Sequence, residues 1–307
     1  MLKNRIKKFF RRFFEKFDSE INIRRIKSWN LYREVVLRQE NEIRRIQSEF
    51  PYLIADSSKK TALRVHERRY YSQNGEDGIL LYLFSKIGAR NKNFIEFGIE
   101  DGTECNAANL AINFGWSGLF IEGSPHLAEK ARKFYYNRHK IHSERVKIVS
   151  EFLTVENVNQ VFEQNSMTGE IDLLSIDIDG NDYWIWQSIT CVQPRVVVIE
   201  YNASFGIERS ITVEYDPAFD AHRKHPTGWY HGASLRALVK LAKKKNYILA
   251  GCDSSGTNAF FVRADLAHGK IEEMFPDEAF YPSVPRLRIA SQEDQWEIIR
   301  HLNYVEV

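Results

Sequence analysis

A chain of 307 residues, 43% of them apolar, has enough material for one large core plus an appendage, since an α/β domain takes about 200 to 250 residues. The formal charge of +2 hides a segregation: residues 1–50 hold fourteen Lys and Arg against seven Asp and Glu, a net of +7, which leaves −5 on the other 257. The acidic remainder speaks against nucleic acid as a partner, Cys105, Cys191 and Cys252 lack the paired spacing of a disulfide framework or zinc knuckle, and no run of about 18 apolar residues is present to span a membrane.

Turned at about 100° per residue, Leu2, Ile6, Phe9, Phe10, Phe13, Phe14 and Phe17 fall within an arc of roughly 140°, with Arg5, Lys8, Arg11, Arg12 and Lys16 opposite. Such a basic amphipathic helix suits the headgroup boundary of an anionic membrane, where apolar burial and charge attraction add. The competing readings are packing on the protein's own domain or on a partner, a transit sequence, and nucleic-acid contact. Residues 19–50 continue with Ile21, Ile26, Trp29, Tyr32, Val36, Ile43 and Ile46 among many charges, which predicts further helices without a heptad. Residues 1–60 are therefore expected to form a helical arm and 61–307 the main domain. With no secretory apolar region and few cysteines, the expected compartment is the cytoplasm, with the arm peripheral on the inner face of the membrane.

The block Tyr70-Tyr71-Ser72-Gln73-Asn74-Gly75-Glu76-Asp77-Gly78 predicts a turn entering an apolar helix, Ile79 to Ile87, with Ser72 or Asn74 as its cap. Asn93 to Thr103 then changes within a few positions from an apolar run to small and acidic residues. Phe94 to Phe97 predicts a buried parallel strand, Gly98 and Gly102 a turn that brings backbone close to a ligand, and Glu104 to Phe114 a helix. The Gly-x-Gly-x-x-Gly form that cradles a dinucleotide pyrophosphate is absent, and Glu100 and Asp101 would repel phosphates, so a cationic or zwitterionic ligand fits better.

Glu96, Gly98 and Gly102 resemble the first motif of class I S-adenosylmethionine-dependent methyltransferases, acidic-x-Gly-x-Gly-x-Gly, with Glu100 in place of the middle glycine. FkbM-type methyltransferases also vary at that position. The resemblance implies that Glu96, Gly98, Gly102 and Thr103 hold the methionine portion of the cofactor. It implies too that Gln73 and Asn74, in the segment before the first strand, lie against it.

Trp116 to Ile121 predicts a second strand ending at Glu122, where a carboxylate is placed to accept hydrogen bonds from both ribose hydroxyls. After a helix from His126 to Asn137, Val146 to Val149 predicts a third strand; Glu151 and Phe152 then fall where folds of this kind hold adenine. Ile171 to Ile176 predicts a fourth, emptying into Asp177, Asp179 and Asp182, carboxylates that repel one another unless a cation sits among them. Two readings compete for that tip. Asp177 and Asp179 either stand beside the methyl donor, orienting the acceptor or binding Mg2+ or Mn2+, or form the Asp-x-Asp of a metal-dependent glycosyltransferase. Arg195 to Ile199 predicts a fifth strand ending in Glu200 and Asn202. Parallel strands share one crevice at their carboxyl ends, so Asp177, Asp179, Glu200 and Asn202 are expected to converge as oxygen ligands of a hard divalent ion.

Residues 203–232, rich in Pro, His, Asp and aromatics, predict a lid, from which His225 is taken as the base, although each lid histidine also reads as a solvated loop residue. A helix from Leu235 to Lys245 and a terminal hairpin, Tyr247 to Cys252 and Asn258 to Arg263, follow, while residues 264–307 carry no recognisable chemistry. The expected fold is thus α/β, a Rossmann-like, mostly parallel seven-stranded sheet with a terminal antiparallel hairpin. In order and spacing, residues 70–263 resemble an FkbM-type methyltransferase. That implies S-adenosylmethionine as cofactor and O-methylation of a sugar hydroxyl, a glycan or another polar metabolite; a cofactor-binding module without turnover is the remaining alternative.

Overall fold

The computed structural model describes residues 63–307, so the basic arm predicted for residues 1–60 lies outside the described residues. Five short apolar runs form the parallel strands β1 (Asn93–Phe97), β2 (Ser117–Glu122), β3 (Val146–Ser150), β4 (Gly169–Ile176) and β5 (Val192–Glu200). The strand β6 (Ile211–Val213) stands apart. The pair β7 (Tyr247–Cys252) and β8 (Asn258–Arg263) completes a seven-stranded sheet in the order β3-β2-β1-β4-β5-β8-β7, with β8 antiparallel to both neighbours. This is the Rossmann-like sheet with a closing antiparallel hairpin that the sequence predicts.

Strands buried on both faces need apolar residues throughout, and alternate side chains go to opposite layers. Phe94, Phe120, Leu173, Val196 and Val198 meet α1 (Glu76–Ile87), α2 (Ala108–Asn113) and α3 (Pro125–Arg132), the last prolonged by a wider turn through Arg138. Ile95, Leu119, Leu174, Val197 and Ile199 meet α4 (Val158–Gln164), α5 (Asp182–Ser188) and α7 (Leu235–Lys244). Each such side chain contributes about 1.5 to 3 kcal/mol by leaving water.

The register sets the site. Phe97 is level with Ile121 and Ile176, Ile176 with Ile199, and Glu122 with Ser150, so Glu122, Gly98, Asp177 and Glu200 end their strands in one row. At the opposite edge the acids are paired. Asp172 accepts from the amides of Arg90, Asn91 and Lys92 at 2.6, 2.8 and 2.5 Å, and Glu170 meets Arg263 at 2.7 Å, arrangements that join loops to the sheet.

The lid segment is built around its own core. A helical turn (Ala203–Phe205), β6 and the short α6 (Ala221–Lys224) enclose Phe205, Ile211, Val213, Trp229 and Tyr230. The tail supplies α8 (Ala264–Ala267), α9 (Pro276–Ala279), α10 (Val284–Leu287), α11 (Gln292–Ile299) and β9 (Tyr304–Glu306). Strand β9 pairs antiparallel with β6, and Ile299 joins the lid core.

Two local expectations change. The helix predicted from Glu104 begins at Ala108. Neither Ser72 nor Asn74 occupies the cap position of α1; Gly75 does, at φ 107°, while the Ser72 hydroxyl accepts from the Asp77 amide at 3.0 Å. Among the described residues no helix is long and apolar enough to cross a membrane.

Candidate functional site

At the carboxyl edge of β1 to β5 the structure opens a cavity of about 600 Å³. Its floor is the turn after β1. Gly98, at φ 76°, donates to the Ile121 carbonyl at 3.1 Å, and a Cβ there would lie 1.4 Å from the Asp177 carbonyl oxygen, so only glycine fits between the two strand ends. Glu100, in the middle-glycine position, is left-handed at φ 50° and donates its amide to Glu122 Oε2 at 2.8 Å. Holding a non-glycine residue there costs about 1 kcal/mol or more, a strain characteristic of ligand-binding turns.

Glu122 closes β2 at 8% exposure; its other oxygen accepts from the Ser124 amide at 2.8 Å. Burial raises its pKa, and the two amides pull it back. Two fixed amides aim the carboxylate while leaving lone pairs for a ligand's hydroxyls. Beside it the ring of Phe152 is 54% exposed, an unusual state for a large apolar side chain and one suited to stacking on a flat ligand.

The β4 tip divides its acids. Asp182 caps its own loop, accepting from the amides of Ile178 and Gly180 at 2.9 and 3.0 Å, whereas Asp177 and Asp179 line the cavity. Asp179 is left-handed at φ 52°, and Gly180 leaves room for Phe219 of the lid, whose ring carbon would lie 2.4 Å from an added Cβ. Burial first, and then the charges of Glu200 and Asp179, raise the pKa of Asp177 well above the usual carboxylate range. Glu200, at the end of β5, is raised likewise by burial and by Asp179 and Asp182, with Arg286 opposing.

Several predicted site residues are engaged elsewhere. Glu96 does not line the cavity: its two oxygens accept from the amides of Asn106 and Ala107, each at 2.7 Å, and so cap α2 from within the sheet. Gly102 and Thr103 shape the turn without lining the cavity. Gly102 donates to the Ile99 carbonyl at 2.9 Å, and the Thr103 hydroxyl donates to Asp101 at 2.6 Å. Of the pair before α1, Gln73 lines the cavity and Asn74 does not, its amide donating to Glu76 at 2.7 Å. Asn202, expected as a metal ligand, is 1% exposed. Its amide group donates to the carbonyls of Trp229 and His231 at 2.7 and 2.8 Å, and its oxygen accepts from Arg286 at 2.7 Å. His225, expected as the base, faces Thr227 at 2.8 Å and is not a lining residue.

Two groups outside the predicted site set stand beside Glu200 instead. His231 is 2% exposed and lies 3.4 Å from Glu200; burial and Arg286 push its pKa down to about 4, so it is neutral. Arg286 arrives from α10, in the tail that had no recognisable motif. A residue's long-range neighbours leave no periodic trace in sequence, and only the run Tyr230-His231-Gly232, an aromatic and a histidine before a glycine, marked His231 as unusual.

Asp179, Glu200 and His231 bring one ligand atom each within 4.8 Å of one another, a set that differs from the predicted Asp177, Asp179, Glu200 and Asn202. As arranged, this set does not fit a divalent ion. His231 Nε2 lies 2.7 Å from Arg286 Nη2, which has only protons to offer, so the ring's one N–H proton sits on Nδ1, the atom a metal would need bare.

The cavity lining as a whole carries eight acidic side chains, those of Glu100, Asp101, Glu104, Glu122, Glu151, Asp177, Asp179 and Glu200, of which Asp177 and Glu200 ionise reluctantly, against the single guanidinium of Arg286. Low-dielectric walls focus that field, which attracts cations and repels phosphates.

No protein-family model and no curated protein matches the chain. Among solved structures it is similar to an O-methyltransferase from Bacillus cereus in complex with SAH, with 16% identity, 80% of this chain and 95% of that one covered, and a TM-score of 0.40. It is also similar to an O-methyltransferase family protein from Burkholderia thailandensis (14%, 72% and 69%, TM-score 0.37) and to PKMT2 from Rickettsia typhi in complex with AdoHcy (10%, 64% and 54%, TM-score 0.41). At such identities and TM-scores the likenesses bear on neither substrate nor chemistry, and the fold rests on the strand order and register described above.

Proposed function

We propose that the chain is an S-adenosylmethionine-dependent methyltransferase of FkbM type, acting on an oxygen of a sugar hydroxyl or another polar metabolite. The observation that carries this reading is the lining of eight acidic side chains to one guanidinium at the tips of β1 to β5. It favours a donor that bears positive charge and disfavours the diphosphate of a sugar nucleotide, which the Asp177-x-Asp179 reading would require. The cofactor supplies a methyl group on a sulfonium.

The chain's own residues do the rest. Glu122, aimed by the amides of Glu100 and Ser124, is placed to hold the ribose hydroxyls, the ring of Phe152 to cover the adenine, and Gln73 and the Gly98 turn to border the methionine portion. Asp177 and Glu200, carboxyls that ionise reluctantly, are strong bases once ionised and stand where an acceptor proton can be taken up. Phe219 and the lid exclude water from that end. Most of the rate then comes from holding acceptor oxygen and methyl group in line.

The test compares the shift in melting temperature given by S-adenosylhomocysteine with that given by uridine and guanosine diphosphates, followed by calorimetry on Glu122→Ala. We expect stabilisation by S-adenosylhomocysteine alone and a loss of about 1 to 3 kcal/mol in the variant, the range for charged hydrogen bonds. Stabilisation by a nucleoside diphosphate and not by S-adenosylhomocysteine would reject the reading.

A further inference from the structure

Of the acids crowded at the tips of β4 and β5, Asp179 and Glu200 interact with a cation that the protein itself provides. Arg286 Nη1 donates to Asn202 Oδ1 at 2.7 Å and to Ser204 Oγ at 2.9 Å, and Nη2 donates to His231 Nε2 at 2.7 Å. Asn202 is in turn fixed by the carbonyls of Trp229 and His231, so β5, the lid and the tail converge on one guanidinium. Pro285 and the Val284 amide, which donates to the Ser255 carbonyl at 2.8 Å, set the backbone that carries Arg286 inward. Held at three points, the guanidinium cannot turn away from His231 without breaking its other bonds. Because an arginine never accepts, His231 Nε2 must, and the ring proton is left on Nδ1, 3.4 Å from Glu200 Oε2. Both of those atoms are buried and otherwise without a hydrogen-bond partner.

We propose that Arg286 is a positioning residue that stands in for a divalent ion at the acceptor end, fixing His231 as the Nδ1–H tautomer and aiming that proton at Glu200. The role in turnover rests on the methyltransferase reading; the cation role does not. Removing the guanidinium frees His231 to turn its bare nitrogen to the carboxylates, so the variant becomes the metal site that the wild-type chain is not.

The experiment follows free Mn2+ by electron paramagnetic resonance against the full chain, against Arg286→Met and against Arg286→Met with Asp179→Asn, with S-adenosylhomocysteine affinity measured on each. The wild-type chain should leave the Mn2+ signal unchanged, Arg286→Met should deplete it, and the double variant should not. With an acceptor in hand, turnover should survive EDTA, fall by about tenfold to a hundredfold in Arg286→Met at unchanged cofactor affinity, and recover in part on adding guanidinium ion. Arg286→Lys keeps the charge without the fork and should recover less. Mn2+ binding by the wild-type chain that Asp179→Asn or His231→Ala abolishes would overturn the proposal, as would wild-type turnover by Arg286→Met. Should Arg286→Met fail to fold, the wild-type Mn2+ titration still decides. Failure to bind S-adenosylhomocysteine would strike the cofactor reading and leave the Mn2+ comparison standing.

Discussion

Glu96 is a buried carboxylate whose work is structural, and its substitution separates that role from ligand binding. A Gln there turns one acceptor into a donor facing the amide of Asn106 or Ala107, so Glu96→Gln should destabilise the fold by about 1 to 3 kcal/mol in denaturant titrations. Burial pushes its pKa from 4.5 up to about 7 against the pull of the two amides. The folded state therefore holds a proton that the unfolded chain releases, a contribution fully present below pH 4.5 and lost as the pH rises to about 7. Asp77 and Asp253, pushed up by burial to about 6 and about 7, act in the same direction. Thermal stability should accordingly fall as the pH is raised from about 4.5 to 7, and less steeply in Glu96→Gln; a rise over that window would contradict the assignment. At Glu100 the left-handed backbone favours glycine, and Glu100→Gly should raise stability by up to about 1 kcal/mol in the same titrations. The turn acids and strand tips were legible because the change from apolar to polar is local in the chain. Glu96 looked like a ligand because its distance from Gly98 is right, and nothing in the sequence announces that two amides from residues 106 and 107 reach its carboxylate first.

The sheet's five parallel strands and closing hairpin were legible as elements because each is an unbroken apolar run with its own polar stop. The lid and tail were not. Strand β6 is three residues long, and its partner β9 begins ninety-three residues after β6 does, at Tyr304 against Ile211, so neither period nor proximity marks the pair. For the same reason Arg286 lay hidden in a segment without recognisable chemistry. One seat of the lid is Gly180 against Phe219, beside the hydrogen bonds from Asn181 to the Asp216 carbonyl and from Trp184 to the Val213 carbonyl. Gly180→Ala should push that ring outward and cost about 1 to 3 kcal/mol by overpacking. Protease cleavage within residues 203–232 should become faster while S-adenosylhomocysteine affinity holds; unchanged cleavage would show that the lid is anchored elsewhere.

Taken as a whole, the sequence puts a net charge of +7 in residues 1–50 and −5 in the rest, whose acids gather in one cavity. We propose that the arm seats on anionic lipid. Seven Lys and Arg among residues 1–17 would each contribute about 1 kcal/mol near such a surface. Deleting residues 1–20 should keep the melting temperature within a few degrees, taking about 4 °C per kcal/mol, and should abolish sedimentation with anionic vesicles. Equal sedimentation of both forms would end the lipid reading, and a large loss of stability would place the phenylalanine face on the protein instead. The antiparallel pairing of β6 with β9 also imposes an order on biosynthesis. Chains emerge from the ribosome amino end first and fold as they appear. Every strand of the main sheet is translated before Arg286 and Tyr304, so a nascent chain can assemble its sheet while the crevice is still uncapped and its crowded carboxylates lack their counterion. Ribosome-bound intermediates halted between Arg263 and Arg286 would thus display an open acidic mouth, and acquisition of a working site would coincide with release of the final segment.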